Sequence, residues 1–154
     1  MTRTRISIFT RTLAAVALCV VAAAGCEDLG TGEPHQRGQY QVLITDEATG
    51  LAYAQVFADG SVQGGITLAA GTQKHLVLRL LTSTNTAVGI GPGDEIRINL
   101  TNTVVASFHV DSQQGGVIHG TLTGGSAGAT TLRLQYIQAG FTEYESPAVN
   151  VTVT

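Results

Sequence analysis

From Tyr40 to Thr154, apolar and polar side chains alternate with a period of two. Leu76, Leu78 and Leu80 share one face, with His75, Val77 and Arg79 opposite. Ile96, Ile98 and Leu100 alternate with Arg97 and Asn99; Leu132, Leu134 and Tyr136 alternate with Arg133 and Gln135; Val149, Val151 and Val153 alternate with Asn150 and Thr152. Such alternation marks half-buried strands. It predicts strands over roughly 40–45, 51–57, 66–69, 74–82, 95–100, 103–110, 117–122, 129–138 and 148–154. Asp59-Gly60, Gly64-Gly65, Gly91-Pro92-Gly93, Gly115-Gly116 and Gly124-Gly125 punctuate the runs, as tight connections require. No long helical period interrupts them. Many short strands with glycine-rich turns predict an all-β sandwich or barrel.

The first 25 residues have another pattern. Arg3, Arg5 and Arg11 precede an apolar run from Leu13 to Ala24, and the run ends in Ala23-Ala24-Gly25-Cys26. A charged start, a short apolar stretch and small residues before a cut are the parts of a secretory signal. The run falls short of the ~20 apolar residues of a permanent membrane helix. Ala23 to Cys26 resemble a bacterial lipobox, departing from it at Ala23, where leucine is commoner. The resemblance implies a signal peptide over 1–25 and a lipidated Cys26 that anchors the protein to a membrane. Residues 27–38 carry almost no apolar side chain. They read as a flexible tether, spanning about 20 Å as a coil, with the β domain at 39–154.

Maturation alters composition. Cys19 would leave with the signal and Cys26 would carry acyl chains, so no thiol remains for a disulfide, a cysteine-ligated zinc or a nucleophile. The mature chain keeps five Lys and Arg against eleven Asp and Glu, a net charge of −6. It has no basic cluster to meet phosphates, so nucleic acid is not an expected partner.

Several constellations have chemical potential. Gly124-Gly125-Ser126-Ala127-Gly128 matches the G-x-S-x-G nucleophile elbow, but that elbow joins a strand to a helix, and both flanks here read as strands. Asp94-Glu95 come directly after a glycine-proline turn, and Glu143 and Glu145 flank Tyr144 in what reads as the last long loop; solvated turns account for both pairs. Phe141 and Tyr144 fall in that loop, where exposed rings would suit a surface glycan; anchoring the loop is the simpler role. Pairing 103–110 with 117–122 so that Val110 faces Ile118 sets His109 against His119 on the outer surface, and His75 joins them from the neighbouring strand. Three imidazoles on one face suit zinc or copper. No catalytic set emerges, and the chain reads as a non-enzyme.

The last two-thirds resembles the bacterial immunoglobulin-like domains, especially their group 2. Val104-Val105-Ala106-Ser107-Phe108 carries the resemblance, as do Gly116-Val117-Ile118-His119-Gly120-Thr121 with Gly128-Ala129-Thr130-Thr131-Leu132-Arg133-Leu134, and Val149-Asn150-Val151-Thr152-Val153. Coverage is about residues 65–154. The chain departs from the family in lacking any Trp, and the hairpin at 40–57 lies outside the resemblance. The resemblance implies an immunoglobulin-like β-sandwich of about nine strands, counting that extra hairpin, used in envelope proteins as a spacer, adhesion or binding module. Together the two resemblances imply a lipid-anchored protein of the bacterial cell envelope, facing the periplasm or the cell surface, with an envelope protein or surface glycan as partner. A metal-binding lipoprotein using His75, His109 and His119 is the alternative.

Overall fold

The computed structural model describes residues 39–154. The signal stretch, Cys26 and the tether lie outside the described residues. Strands form over β1 (Tyr40–Asp46), β2 (Ala52–Val56), β3 (Val62–Gly64), β4 (Ile66–Leu68), β5 (Gln73–Thr82), β6 (Glu95–Leu100), β7 (Ala106–Gln114), β8 (Val117–Gly124), β9 (Gly128–Gln138), β10 (Phe141–Glu145) and β11 (Val149–Val153). There is no helix among the described residues.

Two sheets stack face to face. One runs β3-β2-β1-β5-β8-β7. The other centres on β9. Gln135 and Tyr136 pair with Arg97 and Ile96 of β6, and also with Glu145 and Tyr144 of β10, so those strands flank opposite edges. Further along, β11 replaces β10, and β4 runs parallel to β11. This is an immunoglobulin-like order. β5, β8 and β7 stand where strands B, E and D stand in that sandwich, and β6, β9 and β11 where C, F and G stand. The hairpin outside the resemblance supplies β1 and β2, which widen the first sheet beyond β5.

The alternating faces meet in the middle. Leu76, Leu78, Leu80, Ile118 and Leu122 from one sheet and Leu132, Leu134, Val149 and Val151 from the other are all at most 1% exposed. Tyr40, Tyr136 and Tyr144 close the end where β1 begins. The rings of Tyr40 and Tyr136 meet edge to face at 5.9 Å, and those of Tyr40 and Tyr144 lie 5.2 Å apart. Burial pushes the phenols of Tyr136 and Tyr144 up to about 12.

Three features differ from the sequence expectation. There are eleven strands among the described residues, because β3 and β10 also form. Glu143, Tyr144 and Glu145 therefore sit on a strand, not in a loop, and Tyr144 is buried at 5% exposure. The strand expected at 103–110 begins at Ala106 and runs to Gln114. Asn102 explains the late start: its side-chain oxygen accepts from Val104 N–H and its carbonyl from Ala106 N–H, holding 102–105 as a turn. The register also differs. Phe108 faces Leu122, His109 faces Thr121 and Val110 faces Gly120, with a bulge between Val110 and Ser112 that sets Ser112 against His119. His109 and His119 are thus not opposed.

β10 and β11 form one antiparallel partner to β9, broken at Ser146-Pro147. Proline has no N–H to give the ladder. Ser146 bridges the break: its N–H donates to Leu134 O at 2.8 Å, and its hydroxyl oxygen accepts from Leu134 N–H at 2.9 Å. Ser146 is 1% exposed, so Ser146→Ala leaves the Leu134 N–H buried and unpaired. That substitution is expected to cost about 1–3 kcal/mol, read from the midpoint of urea unfolding.

Candidate functional site

The histidines project from the outer face of the six-stranded sheet, where β5, β8 and β7 lie side by side. His75 sits opposite Thr121 on one side, and His109 sits opposite Thr121 on the other. His119 lies two residues before Thr121 on the same strand, diagonal to both. Thr121 is therefore the centre of the group, a position the expected register would not have given it.

Each ring has a different partner. His119 Nδ1 lies 2.7 Å from Glu47 Oε1, which reaches across from the β1–β2 turn. His75 Nδ1 lies 3.0 Å from Thr121 Oγ1, and that hydroxyl donates to Asp111 Oδ2 at 2.8 Å. His109 stands apart: its side chain is 82% exposed and its Nε2 is 3.8 Å from Asp111 Oδ1. Among the described residues no group of three or more His, Cys, Asp or Glu side chains is arranged to hold a metal ion. The structure thus gathers the three imidazoles on one surface without joining them in one ligand set.

Glu47, Asp111 and Thr121 were not singled out from the sequence. Glu47 is placed by its turn. Asp46 Oδ1 accepts from the N–H groups of Ala48 and Thr49, and these bonds, that of Thr49 first, hold the Asp46 carboxyl below its usual range. Asp111 is placed by the bulge in β7, which no local pattern announces. Beneath the group, Val77 is only 4% exposed although it shares the outer face. Thr45, opposite Val77, receives a hydrogen bond from Arg79 Nη1 at 3.1 Å.

The other constellations are tied into the scaffold. Ser126 lies on the β8–β9 connection, where its N–H donates to Val104 O at 3.0 Å, and the next element is a strand. Asp94 Oδ2 accepts from Tyr136 Oη–H and from Gly91 N–H, each at 3.1 Å. Glu95 forms two 2.8 Å bonds with Arg97. Glu145 accepts from Arg133 at 3.1 Å and from Gln135 at 2.6 Å. Of the rings considered for glycan stacking, Tyr144 is inside and Phe141 stands alone at 79% exposure. A shallow groove of about 230 Å³ runs between Thr101 and Asn150. Its hydroxyls are engaged, with Thr101 and Thr131 oxygens 2.6 Å apart and Thr130 Oγ1 accepting from Asn102 N–H.

No family model matches the chain, and no curated protein does. Solved structures of the S-layer protein SbsC are similar to it. Domains 5–6 share 17% identity at a TM-score of 0.47, over 58% of this chain and 39% of that one. Domains 4 and 5 share 18% identity at a TM-score of 0.45, over 58% and 41%. A longer SbsC segment, residues 31–844, shares 16% identity at a TM-score of 0.46, over 81% and 21%. The chain thus spans less than half the length of each of these structures.

Proposed function

We propose that this protein is a lipid-anchored module of the bacterial cell envelope, non-enzymatic, which holds its β-sandwich near a membrane to bind or scaffold an envelope protein or surface glycan. The observation that carries the reading is the run Ala23-Ala24-Gly25-Cys26 behind a charged and apolar leader. The spacing between Cys26 and the sandwich adds support. Twelve residues poor in apolar side chains separate Cys26 from Gln39, and β1 begins at Tyr40. As a flexible coil, a stretch of that length has a root-mean-square span of about 20 Å. Stable anchoring takes two or more acyl chains, which a fully processed lipoprotein cysteine carries.

The side chains most suited to chemistry serve the scaffold instead. Asp94 braces Tyr136, Glu145 braces Arg133 and Gln135, and Ser126 sits in a strand-to-strand turn. These engagements favour a binding surface over a catalytic centre.

Cys26→Ser tests the reading in cells grown with labelled palmitate. The unchanged protein is expected in the membrane fraction with label, and the variant unlabelled and released. Retention of the variant on the membrane would reject lipid anchoring at Cys26. Protease treatment of intact and lysed cells then assigns the side: digestion in intact cells means the surface, and protection until lysis means the periplasm.

A further inference from the structure

We infer that His75 and His119 form a two-nitrogen seat for a divalent copper or zinc ion on the outer face of the six-stranded sheet. The inference is independent of the anchoring reading. It rests on which ring nitrogen carries the proton.

A threonine hydroxyl has one hydrogen. Thr121 Oγ1 touches two groups, Asp111 Oδ2 at 2.8 Å and His75 Nδ1 at 3.0 Å. An ionised carboxylate only accepts, so the hydroxyl hydrogen goes to Asp111. The contact with His75 then needs Nδ1–H as donor. A neutral His75 is left with its bare lone pair on Nε2. At His119 the reasoning is shorter: Nδ1 faces Glu47 Oε1 at 2.7 Å, an acceptor, so a neutral His119 again holds its proton on Nδ1 and leaves Nε2 bare. Two rings are thus set in the same tautomer by partners from two different strands and a turn.

Their placement suits shared use. His75 faces Thr121 and Val77 faces His119, so the two histidines are diagonal neighbours on adjacent antiparallel strands. Diagonal Cβ atoms lie within about 7–8 Å, and a zinc–imidazole bond is about 2.0–2.1 Å. Val77 underlies them as a nearly dry floor. A carboxylate or hydroxyl behind Nδ1 is the support that metal-binding histidines characteristically have, fixing ring orientation and raising ligand basicity. Neutral imidazole suits copper and zinc in particular. Water completes the coordination, because no third ligating side chain among the described residues joins the pair. His109 is outside the seat, with its Nε2 turned toward Asp111.

The test uses the untagged protein purified in detergent, titrated calorimetrically with Cu²⁺ and with Zn²⁺. His75→Ala and His119→Ala are each expected to weaken binding at least about tenfold, the equivalent of one ligand's support. Glu47→Ala is expected to weaken it by about tenfold through loss of the tautomer lock. His109→Ala is expected to change it less than about twofold. Affinity equal to that of the unchanged protein in either His75→Ala or His119→Ala overturns the proposal. A second readout needs no variant: long-range ¹H–¹⁵N spectra of the metal-free protein should report the Nδ1–H tautomer at both rings, and an Nε2–H tautomer at either one overturns it.

Discussion

Gly64→Ala is expected to destabilise the sandwich by about 3–5 kcal/mol. Gly64 ends β3 in the first sheet, and β4 begins in the second sheet at Ile66. The chain changes sheets within two residues. It does so with Gly64 at φ +83°, where a Cβ would stand 2.2 Å from Tyr53 O. That oxygen belongs to the neighbouring strand and accepts from Gly65 N–H at 2.9 Å. It cannot retreat without breaking the bond that holds the crossover. Left-handed backbone alone costs an alanine about 1–2 kcal/mol; the overlap adds the rest. Gly50→Ala separates the two costs, because Gly50 also has positive φ, +71°, but open space around its Cβ. It should lose only the backbone share. Guanidinium unfolding of both variants measures the difference, and equal losses would remove the role of the Tyr53 carbonyl.

Leu78→Ala is expected to cost about 2–5 kcal/mol. Leu78 is fully buried and lies mid-strand in β5, opposite Ile44 of β1 and Ile118 of β8. The sheet is hydrogen-bonded on both sides there, so the backbone cannot move in to close the space the side chain leaves. The cost is the lost burial plus the cavity. Leu51→Ala is the comparison: Leu51 is 69% exposed in the β1–β2 connection, and its loss should fall within about 0.5 kcal/mol of zero. A Leu78→Ala midpoint indistinguishable from that of Leu51→Ala would mean that the two faces do not pack as described.

Strong alternation was readable where one face is buried and the other wet. β5, β6, β9 and β11 match their apolar positions, and the two-sheet sandwich is built from them. β3 escaped because all three of its residues are exposed; it is held by pairing with β2 alone, which leaves no mark in the pattern. β10 escaped because its most conspicuous residue, Phe141, points to solvent, while a single ring, Tyr144, is buried. The β7–β8 register illustrates a different limit. Sliding one strand by two residues keeps every side chain on its face, so a period of two cannot choose between the alternatives. The choice was made by the tight Gly115-Gly116 turn, which sets Gln114 against Val117, and by the bulge before Ser112. The histidine surface inherits that outcome. The three rings were readable as a group because outward faces survive such a slip, whereas Thr121 at their centre and the reach of Glu47 depended on register and turn geometry.

The position of β1 has a mechanical consequence. The strand enters at Tyr40, beside the tyrosine cluster, and leaves at Asp46 at the opposite end. Thr154 lies at that opposite end too, where its carbonyl accepts from Ala70 N–H. A pull between Gln39 and Thr154 therefore runs lengthwise along β1. The ladder bonds to β2 and β5 lie across that direction, so they are loaded together in shear and cannot be opened one at a time like a zip. Seven residue pairs join β1 to β5 alone. By feeding the chain into an interior strand of the sheet, the fold makes its entry at Tyr40 resistant to tension along the axis of that strand.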